Sequence, residues 1–233
     1  MKRKIVVVAL VAFAGIFIVI AFKVTSKTPQ KPKEPSTDRL KWHVAEAKRE
    51  GRQKVAISTG MSTYLGSENA SLESAFSDYT VVVAKPITKR TYQRDGNSLR
   101  TWYKFQIQEP LTQLKNPPCL GCFSLTPPSD LLPLGSNEFL VPRDGGRFVL
   151  DGVEIDQAEP GFPEFEDNQQ YLLFIALYPN QVALPAGGPM GVFAISQNHS
   201  LISFNKDRDT IQDGIKAQFN SSLDLVRKRL RKL

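Results

Sequence analysis

The chain has 233 residues, 30 Lys+Arg against 23 Asp+Glu, a formal net charge of +7, and only two histidines and two cysteines. The positive excess sits at the ends: residues 1–33 carry seven cations and no acid, residues 206–233 eight cations and four acids, and the body, 34–205, 15 cations against 19 acids. A mildly acidic body repels phosphate, which argues against nucleic acid as a partner, and two histidines leave little material for a histidine-based metal cluster or catalytic triad.

Residues 1–4 form a short basic tail. From Ile5 to Phe22, 18 consecutive residues lack a charge or a strong hydrogen-bonding side chain. As a helix this run is about 27 Å long, close to the hydrocarbon thickness of a bilayer, so residues 5–22 are predicted to be a transmembrane signal anchor. The alternative is a cleaved signal peptide, with Val24-Thr25-Ser26 as the tolerable cleavage site. Lys2, Arg3 and Lys4 form a denser cluster than Lys23, Lys27, Lys31 and Lys33, which predicts a cytoplasmic N-terminus. Residues 24–233 would then lie outside the cytoplasm, and a single-pass membrane protein is expected. Residues 23–36 read as a Pro/Lys-rich linker, an extended spacer.

A helical lead-in is expected over residues 37–76. Ser36-Thr37-Asp38 offers caps for RLKWHVAEAKREG, with Leu40, Val44 and Ala47 on one side and Gly51 as a stop. A second helical piece is expected over Ser67–Phe76. Strand signals dominate residues 77–205. Tyr79–Ala84 is β-branched and apolar, Arg100–Gln108 alternates, and Asp95-Gly96 between them suits a tight hairpin. Glu138–Val141 and Arg147–Leu150 flank Asp144-Gly145-Gly146, read as a second hairpin turn. Tyr171–Leu177 is a continuous apolar run, and Gly191–Ile195 and Leu201–Phe204 flank a third turn at Gln197-Asn198-His199. Residues 206–233 read as one C-terminal amphipathic helix, with Ile211, Ile215, Phe219, Leu223, Val226 and Leu230 as its stripe. Arg227, Lys228, Arg229, Arg231 and Lys232 sit at its end. They suit the helix dipole there, and contact with anionic lipid head groups is the alternative role.

The predicted fold is mainly β: a small barrel with packed N- and C-terminal amphipathic helices, preceded by one transmembrane helix. The order of Ser77–Ile87, Trp102–Leu111, Phe165–Phe174 and Gly191-Val192-Phe193 resembles uncharacterised exported bacterial proteins with a netrin/tissue-inhibitor-of-metalloproteinase-like barrel of the OB type. The resemblance covers about residues 66–205 as spaced strand patterns. It implies a five- or six-stranded barrel with a packed helix. Those inhibitors act through a cysteine at a free mature N-terminus, which nothing here matches, so no inhibitory residue carries over.

Candidate chemistry is sparse. Cys119 and Cys122 form a C-x-x-C in Pro-rich loop chemistry, without the helix start that acidifies a reactive thiol. A local disulfide is expected, with redox function or half a metal site as alternatives. Glu154, Asp156, Glu159, Glu164, Glu166 and Asp167 could supply a carboxylate pair or a weak Ca²⁺ site, but read as a solvated acidic loop. Trp42, Trp102 and Tyr103 could line a ligand face; at least one of the last two must be core. Residues 84–115 hold seven cations and two acids, and residues 130–170 two cations and ten acids, so these strands are expected to face and neutralise each other. No catalytic residue, cofactor or metal ligand is assigned. The expected function is a membrane-anchored extracytoplasmic interaction module of the cell envelope with a protein partner. An envelope enzyme, using the acidic loop or Cys119/Cys122, and a protease-inhibitor-like domain are the alternatives.

Overall fold

A computed structural model describes residues 38–59, 71–115, 117, 125–204 and 210–232. The expected anchor (5–22), the linker (23–36) and the cysteine pair lie outside these residues, and among the described residues no helix is long and apolar enough to cross a membrane. Helix α1 (Arg39–Arg49) buries Leu40, Val44 and Ala47 on one face, as its spacing predicts. Its N-terminus is not closed by Asp38, which adopts φ 54° and makes no side-chain cap. Instead Leu40 N donates to Gly96 O (3.2 Å) and Arg39 N to Asn97 Oδ1 (3.0 Å), so the tip of a distant hairpin satisfies the orphan amides.

The helical lead-in is corrected by strand β1 (Lys54–Ser58), whose burial alternates along KVAIS. It runs parallel to β6 (Val153–Ala158), which pairs antiparallel with β5 (Gly146–Leu150), giving a three-stranded sheet in the order β1-β6-β5. Val55, Ile57, Val153 and Ile155 pack beneath α1 with Leu40, Val44 and Leu99. Helix α2 (Leu72–Asp78) starts at Ser71, whose Oγ accepts from Ser74 N (3.1 Å). It leads into β2 (Thr80–Arg94), β3 (Ser98–Pro110) and β4 (Glu138–Asp144), and later β7 (Tyr171–Leu177), β8 (Ala183–Pro185), β9 (Val192–Ile195) and β10 (Leu201–Ser203). These seven form the larger sheet, ordered β10-β9-β7-β2-β3-β4 with β8 on the far half of β7. The expected single barrel thus resolves into two sheets. Between β4 and β8 there is no ladder, only one parallel bridge, Leu140↔Val182, with Leu140 N donating to Gln181 O (2.9 Å).

Both faces of this sheet are covered, which explains why β2 and β7 read as continuous apolar runs. On one face Val82, Ala84, Tyr103, Phe105, Phe139, Val141, Tyr171, Leu173 and Ile175 enclose Phe162 and Phe165 from the connection before β7. On the other, Val81, Val83, Leu172, Phe174 and Phe193 meet α2 and two C-terminal helices, α3 (Thr210–Phe219) and α4 (Leu223–Leu230). The expected single C-terminal helix is therefore broken. Asn220 and Ser221 take φ 47° and 54°, Ser221 O accepts from Leu201 N (2.7 Å) and His199 O from Leu223 N (3.0 Å). Left-handed turn residues pinned by the β9–β10 hairpin let both helices keep their apolar stripes on a twisted surface.

The turn at Asp144-Gly145-Gly146 is not a hairpin. β4 pairs with β3 and β5 with β6, so the two glycines are the corner where the chain changes sheets. A polar seam joins the sheets there: Thr101 Oγ1 donates to Gly145 O (2.7 Å), Leu99 N to Gln157 Oε1 (2.5 Å) and Asp144 N to Glu159 Oε2 (3.0 Å).

Candidate interaction surface

The acidic residues do not form a loop cluster. Glu154 and Asp156 stand on β6, where Lys54 Nζ bridges them at 2.9 and 3.4 Å and Arg147 reaches Asp156 at 3.5 Å. The first cause raising the Lys54 pKa above its ordinary value is its hydrogen bond to Glu154, followed by that to Asp156. Glu159 is buried in the seam, Glu164 lies 3.6 Å from Lys89, and Glu166 N donates to Tyr171 OH (2.7 Å). Glu154 and Asp156 thus share one lysine, while Glu159 and Glu164 have partners elsewhere, and a facing pair for glycoside chemistry is not assembled from these four. Among the described residues no group of three His, Cys, Asp or Glu could hold a metal ion. Trp102 and Tyr103 are both buried, Trp102 with Leu131, Leu140 and Val182, and Tyr103 against Phe165 at 5.0 Å, so neither is a ligand platform. Trp42 lies on α1 edge-on to His43.

The charge polarisation of the body is resolved by cross-strand pairing. Lys104 meets Glu138 (3.3 Å), Arg100 meets Asp144 (2.8 Å), and Arg90 hydrogen-bonds Asp130 beside Tyr92. Burial first, then the bond to Asp130, pushes the Tyr92 hydroxyl up to about 12. The exposed Arg90–Asp130 pair contributes about 0–1 kcal/mol, while the other two are half-buried between strands.

Among the described residues, two surfaces stand out. The first is the outward face and free edge of β5: it is a terminal strand, and Val149 on it is 65% exposed. The second surrounds α4. Arg227 clamps Glu109 at the end of β3 through Nε (2.9 Å) and Nη2 (2.6 Å) and reaches Asp224 through Nη1 (3.0 Å). His199 Nδ1 lies 3.2 Å from Asp224. A groove of about 700 Å³ opens here, lined by Glu109, Asp224, Arg227, Lys228, Arg231 and Lys232, and beside it the segment 110–115 with Phe76 and Leu230 lines a second depression. The Glu109–Arg227 contact spans 118 residues of sequence, and no local pattern announces it.

The His199 contact, then Arg227, holds the Asp224 carboxyl below its ordinary range. Its contribution is present above the unfolded-state pKa and is lost as pH falls through the lower folded value. Asp224→Asn is expected to lower the neutral plateau and to flatten the acid limb of the stability curve between those two values, so that variant and wild type converge at low pH. Acid titration of the unfolding midpoint, variant against wild type, checks this. An unchanged acid limb would remove Asp224 from the linkage.

Comparison with known proteins found no matching family model, no matching curated protein and no matching solved structure.

Proposed function

We propose that this chain is a membrane-anchored interaction module of the cell envelope. Residues 5–22 are the anchor, residues 23–36 the spacer, and the β domain is held outside the cytoplasm to bind a protein partner. Within the domain, β2-β3-β4-β8-β7 is read as an OB-like ring. The Leu140↔Val182 bridge and the shared aromatic interior support that reading, since the OB architecture is a partly open five-stranded ring.

The observation that carries the binding role is Val149. It stands 65% exposed on a terminal strand whose inward neighbours Phe148 and Leu150 already serve the α1 core. An apolar residue on an unpaired strand edge offers a partner both ladder hydrogen bonds and a hydrophobic contact. The test places a photo-crosslinking residue at Val149 of the full chain in intact membranes, with a second placed at exposed Asp151 as control. A discrete adduct at 149, lost on Arg147→Pro, which removes an edge N–H, is the expected result. Equal labelling at both positions, or none, would overturn the assignment of this edge.

A further inference from the structure

We infer that the outer arc of α4 docks on an anionic lipid surface, an inference that rests on the membrane-anchored reading above. Leu223, Val226 and Leu230 are buried against the domain, which turns Lys228, Arg229, Arg231 and Lys232 outward, all exposed, with Leu225 among them at 45% exposure. Successive 100° steps place these five within one arc of about 160°. Among the described residues the side chains of Lys228, Arg229 and Lys232 hold no ion pair, and Arg231 comes only within 4.0 Å of Glu109. The acids close by are already matched: Asp224 by Arg227 and His199, Glu109 by Arg227, and Glu73, whose carboxyl feels Arg229, by Gln218 Nε2 at 2.5 Å. Lys228 and Lys232 are therefore uncompensated, Arg229 and Arg231 are only loosely matched by Glu73 and Glu109, and all four are aimed at solvent beside exposed Leu225, the composition of a face that rests at a head-group boundary. The 14 residues 23–36 span at most about 50 Å even when fully stretched, which bounds how far a domain tethered at residue 22 can stray from the bilayer. An acidic protein would match the charge equally well. The tether length favours lipid, because it keeps a bilayer surface constantly within reach.

The test reconstitutes the full chain into vesicles of phosphatidylcholine alone or phosphatidylcholine mixed with phosphatidylglycerol. Amide hydrogen exchange is then read in residues 223–232, with 171–177 as a control for folding. Each cation brought to an anionic surface favours the docked state roughly fivefold. Slower exchange of α4 by at least about tenfold in the anionic vesicles is expected, reversed by high salt and abolished in K228E/K232E while 171–177 stay protected. Equal exchange in both lipids overturns the inference, and so does protection in both, which would mean apolar insertion without head-group recognition. Concentration-dependent protection in lipid-free detergent would assign the face to a second copy instead. Failure of the chain to float with phosphatidylcholine vesicles would remove the anchor but not the docking face, which the anionic vesicles decide by themselves.

Discussion

Gly146→Ala is expected to destabilise the domain by about 3–5 kcal/mol, combining backbone strain with overpacking. Gly146 has φ 130°, and a Cβ there would lie 2.1 Å from Thr101 Oγ1 and 2.8 Å from Thr91 Oγ1. Those hydroxyls bond each other at 2.9 Å, and Thr101 also holds Gly145 O, so they cannot swing aside without breaking the seam between the sheets. Gly145, with φ 92°, is equally constrained: its Cβ would meet Gln157 O at 2.4 Å. Gly152 provides the control, since it has φ 79° but nothing within 4 Å of an added Cβ. Gly152→Ala should lose only the conformational part, about 1–2 kcal/mol. Denaturant midpoints of the full chain in detergent measure both. Equal losses at 146 and 152 would show that the corner is not tightly packed.

Phe165→Ala is expected to cost about 3–5 kcal/mol, the range for truncating a buried aromatic. Its ring lies 5.0 Å from both Tyr103 and Phe105, 5.2 Å from Tyr171 and Phe204, and 5.7 Å from Phe162. It enters from an irregular connection, so it is both the plug of the interior and the tie that holds residues 159–170 against the sheet. Edge-to-face pairs add about 0.5–1.5 kcal/mol beyond area burial, and Phe165 makes several. A second readout separates this role from general loss of stability. Burial pushes the Tyr171 hydroxyl up to about 12, and burial likewise raises Tyr103. With these values raised, the neutral tyrosines stabilise the fold below their unfolded pKa, and that contribution is lost as pH rises through the folded value. Opening the interior should let tyrosinate absorbance in the folded variant rise at lower pH than in wild type. An unchanged titration with the full stability loss would mean that the cavity collapses instead of admitting water.

Stripes with helical spacing, Leu40/Val44/Ala47 and Ile211 through Leu230, were legible because each reports one buried face. The apolar runs of β2 and β7 were legible for the opposite reason, since both faces of the sheet are covered. β1 and β6 were missed. Each shows only two or three inward apolar residues, and the acids of β6 read as solvent until Lys54 and Arg147 are placed across from them. Asp144-Gly145-Gly146 suits a hairpin and a corner alike, because positive φ is common to both; the choice depends on which strands pair, and that is non-local.

By itself the sequence determined the mainly β character, the buried stripes, the hairpins at Asp95-Gly96 and Asn198-His199, and the placing of positive charge at the chain ends. Those properties are local, fixed by side-chain periodicity, turn stereochemistry and ionisation. Only the tertiary structure decided that the strands divide into two sheets, that the last helix breaks at Asn220-Ser221, and that Glu109 takes Arg227 out of the basic cluster and leaves its neighbours facing outward. Each of these depends on partners tens of residues away, whose meeting is set by how the covered faces stack and not by any pattern along the chain.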